Sequence, residues 1–294
     1  MKSPKSFNAN WQEEGKEEVG RKVYKITILG CGGSIGVPSI ERGWEDCNPN
    51  NPKNARSRTS AYLSICEEGQ PDYHVLFDVG PDFRAQALRE NIKAVDSILF
   101  THAHADHILG IDEIRSINRI MQKEIDAYGA AQTNAVIKQT FHYVFAERAI
   151  NYNPDATVDD IFFRPRINLH DIEYHNEFSL ENRTQVYPVK QIHGRIETTG
   201  FIIDNKIGYA TDFVYLPQET IEKYKNLDLL MVSAFTTRKH SSHMKLAEVL
   251  ELLEYLNPKR AVLIHMGATM DYDTLLKTLP NNIIPAYDGL KIEV

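Results

Sequence analysis

The sequence predicts an α/β (α+β) fold in which two β-sheets pack face to face with helices outside. Two separate series of short β-rich runs predict it, together with a helical stretch near 130–150 that divides them. Size is the third observation: 294 residues with 42% hydrophobic and 25% charged side chains can bury a large core. A sheet hides a face against a neighbouring layer, so two such series fit two sheets in contact.

The first series is "VYKITIL" (23–29), "SAYLSI" (60–65), "HVLFDVG" (74–80) and "DSILFTH" (96–102), read as strands of a half-buried sheet. "PDFRAQALREN" (81–91) has a proline at a first helical position and spaced apolar residues, which predicts a short helix. A second helix is expected through "GIDEIRSINRIMQ" (110–122). The later series is "TQVYPVKQI" (184–192), "TGFIIDNKIGYATD" (199–212), "LDLLMVSAF" (227–235) and "RAVLIHM" (260–266). The stretch 199–212 reads as a hairpin around "DNK", and helical spacing recurs over 217–225, 245–256 and 272–279. Residues 1–22 are polar and lack the apolar core of a signal peptide, so a frayed tail before a single domain over 23–294 is expected.

Bulk properties narrow the function. A formal net charge of −7 argues against a broadly basic nucleic-acid surface. No apolar run approaches the roughly 20 residues that span a membrane, and three cysteines, Cys31, Cys47 and Cys66, make no disulfide framework. A reducing cytoplasm is the expected location.

The chemistry concentrates in "FTHAHADHILGID", where His102, His104, Asp106 and His107 follow an apolar run. Imidazole nitrogens and a carboxylate gathered at a strand terminus suit a hydrolytic metal site. His193, Asp212 and His265 each end another apolar or alternating run, where a buried strand delivers its last side chain to a site. Singly, His193 or His265 also reads as a hydrogen-bonded core histidine and Asp212 as a cap.

The order "HAHADH", His193, Asp212 and His265, preceded by Asp78 in "LFDVGPD", resembles the metallo-β-lactamase-fold hydrolases from about residue 23 onward. That resemblance implies an αββα four-layer sandwich with a two-metal site at one edge of the sheets. It implies that His102, His104 and His193 bind one ion, that Asp106, His107 and His265 bind the other, and that Asp212 bridges them. "ILGCGGSIGVP", "FDVGPDFR", "THAHADHILGIDEIR" and the terminal "YDGLKIEV" look like the phosphodiesterase branch, which includes phosphonate-pathway enzymes that open phosphoribosyl cyclic phosphates. The phosphonate-pathway enzyme has a cysteine cluster for structural zinc after "GVP". Here Cys47 stands alone in that segment, so no such zinc is expected. Cys31 and Cys66 read as small core residues.

Two divalent ions roughly 3.5–4 Å apart can bind a bridging water, lower its pKa from about 15.7 toward about 7, and stabilise charge on phosphoryl oxygens. Zn and Mn are the foremost choices, and Fe or Ni also suit a mixed His/Asp set. Asp106, Asp212 and His243 are expected to carry the chemistry. His243, in "HSSHMKLAEVL", fits the position of a histidine near the scissile phosphate in related phosphodiesterases and tRNA 3′-processing enzymes, and His240 is the weaker competitor. Asp78 either orients a ligand histidine or forms a turn. "GCGGSIG" lacks the third glycine of a dinucleotide fingerprint and the Gly-Lys-Ser/Thr of a P-loop, and reads as a tight loop at the site rim, with Ser34 stabilising the turn or touching phosphate. Lys53, Arg56 and Arg58 read by default as a solvated basic loop; Arg56 or Arg58 holding an anionic substrate is the alternative.

The leading reading is hydrolysis of a small, even cyclic, phosphodiester. RNA processing, thioester or lactam hydrolysis and a non-catalytic metal-binding interaction module stand behind it. The expected partner is the small substrate, with a homodimer open and no membrane.

Overall fold

Strand alternation at "YHVLF" shows how the layers form: Val75 and Phe77 point into one core while Leu76, between them, enters another. The computed structural model describes residues 22–146 and 163–294. Residues 1–21 of the proposed tail lie outside the described residues, as do positions 147–150 of the helical insert; Lys22, expected in the tail, instead pairs with Asp204 at 3.1 Å.

Two seven-stranded sheets are seen among the described residues. The first contains β1 (Val23–Gly30), β2 (Ser60–Cys66), β3 (Tyr73–Phe77), β4 (Ser97–Leu99), β5 (Ile125–Ala130), β6 (Ile167–Ile172) and β14 (Lys291–Glu293). Its order is β14-β1-β2-β3-β4-β5-β6, antiparallel as far as β3 and parallel beyond. The second contains β7 (Phe178–Ser179), β8 (Gln185–His193), β9 (Ile196–Ile203), β10 (Ile207–Ala210), β11 (Leu229–Ser233), β12 (Arg260–Ile264) and β13 (Ile283–Pro285). Here β7 to β10 pair antiparallel and β10 to β13 parallel. The predicted hairpin is the β9–β10 pair, with Asp204 and Asn205 both in the left-handed region.

Helices cover the outside: α1 (Phe83–Glu90), α2 (Ala105–Ile108), α3 (Ile114–Met121), α4 (Ala131–Thr140), α5 (His142–Phe145), α6 (Gln218–Tyr224), α7 (Leu246–Leu256) and α8 (Tyr272–Thr278). The main core sets Ile26, Ile28, Leu63, Val75 and Phe77 of the first sheet against Val186, Phe201, Ile203 and Tyr209 of the second. Leu29, Leu76, Ile98 and Phe100 face the opposite way and pack with Phe83, Ile111, Ile114 and Ile117. This is the αββα sandwich of the metallo-β-lactamase fold. No helix among the described residues is long and apolar enough to cross a membrane.

The structure corrects several boundaries. Helices on the outer face leave β4 wholly buried rather than half-buried. β3 stops at Phe77 because Asp78 turns to φ 59°, and β4 stops at Leu99. α1 begins at Phe83, two residues beyond Pro81, with Asp82 as its N-cap. Sequence reading missed β5, β6, β7, β13 and β14.

The basic loop is not solvated at Arg56. Its guanidinium is buried and donates to Met270 O (2.5 Å), Gly267 O (3.2 Å) and Asn54 Oδ1 (3.2 Å), with Cys47 Sγ at 3.8 Å. Arg58 is paired with Asp82 (2.9 Å), and Lys53 lies over the Tyr272 and Tyr287 rings. Arg56 is thus a clamp between the loop after β1 and the segment after β12. Arg56→Ala would leave buried carbonyls unpaired, and a loss of about 1–3 kcal/mol is expected in urea unfolding. Unchanged stability would show that the clamp contributes nothing.

Candidate metal centre

Strands from both sheets end at one edge and hand their following residues to one place. β3 leads to Asp78, β4 to His102 and His104, β8 ends in His193, β10 leads to Asp212 and β12 to His265. The short helix α2 then carries Asp106 and His107 back to the same edge. Asp78, Asp212 and His265 all adopt left-handed backbone, at φ 59°, 54° and 53°. Such angles just past a strand redirect the side chain out of the alternating pattern, and a histidine holds one only when its surroundings fix it.

The ligand atoms fall into two groups, each with its atoms within 4.8 Å of one another. One is His102, His104, His193 and Asp212; the other is Asp106, His107, Asp212 and His265. Asp212 belongs to both, and its oxygens divide. Oδ2 lies 3.7 Å from Nε2 of His102 and of His193, whereas Oδ1 lies 3.1 Å from His265 Nε2 and 3.6 Å from His107 Nε2. Asp106 Oδ2 is 3.3 Å from His107 Nε2 and 3.5 Å from His265 Nε2. His104 is the exposed member, opening its group to solvent, and its Nδ1 is 2.9 Å from His102 Nε2.

Hydrogen bonds behind the rings select the tautomers. His107 Nδ1 donates to Asp78 Oδ2 (2.7 Å) and His193 Nδ1 to the Ser242 carbonyl (2.8 Å). Thr101 Oγ1 donates to Asp78 Oδ2, so it accepts from His102 Nδ1 (3.0 Å). All three rings therefore aim an Nε2 lone pair inward. Asp106 Oδ2, His107 Nε2 and His265 Nε2 are buried with no hydrogen bond of acceptable geometry among the described residues. Buried lone pairs and carboxylates that converge unsatisfied are a donor set for cations, so the residues present fit two divalent ions.

These groups act strongly on one another: although burial lowers it, Asp106, Asp212 and Asp78 raise the His107 ring well above the usual imidazole range. Burial pushes the His102 ring well below the usual imidazole range, and His107 beside it adds to the effect. Burial alone would raise the Asp212 carboxyl, but His265, His107 and His102 hold it below the usual carboxylate range. Asp106 is likewise held low by His107 and His265 against its burial.

His243 is buried and belongs to neither group, yet its ring centre is 4.6 Å from His193 and 5.0 Å from His265. Burial pushes the ring down to about 3, with His265 adding. It is neutral at pH 7 and offers an N–H rather than a charged acid. His240 is exposed on the rim, 5.1 Å from the His243 ring. Sequence reading gave no role to Phe235, which stacks on His243 at 4.7 Å, to the Ser242 carbonyl, or to Thr101, whose only signal was its place beside "HAHADH". The glycine-rich turn does reach the rim. A Cβ on Gly33 would come within 2.5 Å of the Phe235 ring, so only glycine allows this approach. Gly33, Ser34, Phe235, Arg238 and His240 line a cavity of about 310 Å³ beside the histidines. A larger hollow, about 540 Å³, is lined by Lys25, Tyr62 and His74, and none of the clustered ligands lines either cavity.

Comparison with known proteins bears on this arrangement. The Beta-lactamase superfamily domain matches residues 73–266, which spans Asp78 and all seven clustered ligands. The chain belongs to that superfamily and has the metallo-β-lactamase fold. Within it the chain falls in a PhnP-like branch. The crystal structure of a new diphosphatase from the PhnP family is 32% identical with TM-score 0.78, covering 92% of this chain and 97% of that one. Zn(2+)-bound PqqB from Methylobacterium extorquens shares the fold at 15% identity and TM-score 0.65, over 92% of this chain and 100% of that one. An octanoyltransferase of Porphyromonas gingivalis (strain ATCC BAA-308 / W83) is 30% identical over 269 residues, 91% of this chain and 51% of that protein. The chain thus spans about half the length of that curated relative.

Proposed function

We propose that the protein is a two-cation phosphodiesterase acting on a small phosphodiester, cyclic ones included. The observation that carries this is the division of the Asp212 oxygens between two ligand groups, with the His243 ring beside both. When bound, two divalent ions supply a nucleophilic oxygen at neutral pH and offset charge on the phosphoryl oxygens. His102, His104 and His193 would hold one and Asp106, His107 and His265 the other, with Asp212 common to both groups. Zn suits a mixed His/Asp ligand set, and Mn is the second choice.

The chain's own residues do the rest. Asp78 fixes the His107 ring directly and the His102 ring through Thr101. His243 presents an N–H where charge develops on the leaving oxygen, and the Phe235 ring keeps its plane fixed. The cavity of about 310 Å³ adjoins the centre at Gly33 and Phe235 and has room for a small molecule, and the diphosphatase likeness supports a phosphoryl compound as the substrate. Octanoyl transfer belongs to a protein of which this chain spans half, and it is not carried over.

Asp78→Ala is expected to weaken cation binding or turnover by about 10–100-fold, because it frees two ligand rings at once. Cation titration of the purified variant checks this. Affinity and turnover equal to wild type would remove Asp78 from the support of the centre. The test of the function itself is turnover of a five-membered cyclic phosphodiester by the Zn- or Mn-loaded protein, set beside an RNA and a thioester. Hydrolysis of the RNA or thioester alone would reject the proposal.

A further inference from the structure

We propose that Asp288 is a positioning residue for His265: its carboxylate, outside both ligand groups, fixes the loop that keeps His265 in the second one. This rests on the reading of those groups as cation sites.

Asp288 lies in the turn between β13 and β14, within the terminal "YDGLKIEV". Its Oδ1 accepts from Cys31 N (3.1 Å) and Cys31 Sγ (3.5 Å), and its Oδ2 from Ser57 N (2.9 Å) and Ser57 Oγ (2.5 Å). Arg89 Nη1 stands 3.6 Å from Oδ2. One carboxylate thus gathers donors from both ends of the long connection between β1 and β2. Its own turn is anchored by Ala286 N to Leu263 O (2.9 Å) and Gly289 N to Ile28 O (2.8 Å).

Cys31 passes this order on. Its carbonyl accepts from Met266 N (2.7 Å), and Gly33 N donates to Met266 O (3.2 Å). Met266 is therefore held on both sides, and it directly follows His265, whose φ of 53° needs such support. Gly33 also approaches the His265 ring: a Cβ built there would lie 3.5 Å from Cε1. The path runs Asp288, Cys31, Met266, His265, and no comparable path leads from Asp288 to His102 or His104 among the described hydrogen bonds.

A carboxylate offers acceptors only. Asparagine would set an NH₂ against the donors of Cys31 or Ser57, so Asp288→Asn breaks one arm while keeping the side chain's shape. The experiment is calorimetric titration of the cation-free full-length protein with Zn²⁺, for wild type, His265→Ala and Asp288→Asn. His265→Ala identifies the binding step that belongs to the second group. The expected result is that this step weakens about 10–100-fold in Asp288→Asn while the other is unchanged. Equal weakening of both steps marks a general structural role and overturns the proposal, as does no change in either. Wild type that binds no Zn²⁺ overturns the reading of the groups themselves, and the proposal with it. Should Asp288→Asn fail to fold, Asp288→Glu keeps the charge and moves the oxygens by one methylene, and the same selective weakening is expected.

Discussion

Asp212→Ala is expected to lower the cation content from about two to about one or fewer per chain, and to cut hydrolysis by about three orders of magnitude or more, roughly 4 kcal/mol of barrier. The reason is geometric. Asp212 is the one residue in both ligand groups, with Oδ1 toward His265 and His107 and Oδ2 toward His102 and His193. Its loss leaves each group three ligands and removes the negative charge between two dications. Thr211 Oγ1 donates to Oδ1 (2.7 Å), so the carboxylate is held in place before any ion arrives. Metal analysis alongside turnover checks the prediction. Near-normal turnover with two ions retained would reject the bridging role.

His243→Ala has the next largest expected effect, a loss of about 10²–10³-fold in turnover, the usual worth of one donor aimed at developing charge. Cation content should stay at the wild-type level, because His243 belongs to neither group. The loss should shrink for aryl esters whose leaving groups are stable anions, since these need less help as they depart. A uniform loss across leaving groups would move His243 from the leaving oxygen to general substrate binding. Loss of bound ions would show that it acts as a ligand.

Reading the sequence worked best where one residue type has few structural uses. The run His102, His104, Asp106, His107 combines three imidazoles and a carboxylate in six residues, and the structure brings them together with His193, Asp212 and His265. β1 and β8 were legible because they are rich in β-branched and aromatic residues, β2 by its alternation and β11 as a short continuous apolar run. β5 was not, because "IDAYGA" has the weak strand formers Asp, Ala and Gly and becomes a strand by pairing with β4 and β6. Long-range hydrogen bonds leave still less trace. The Arg56 clamp and the Asp288 carboxylate join positions more than 200 residues apart, and neither has a local pattern to mark it. Asp78 read equally as a turn or as the support of a ring, and the structure shows both: its φ of 59° ends β3, and its carboxylate meets His107 at 2.7 Å.

The most direct measurement is turnover of a five-membered cyclic phosphodiester by the protein loaded with Zn²⁺ or Mn²⁺, beside Asp212→Ala under the same loading. The account predicts hydrolysis by the loaded wild type that is lost in the variant. No turnover with two ions bound, or equal turnover in the variant, would contradict it.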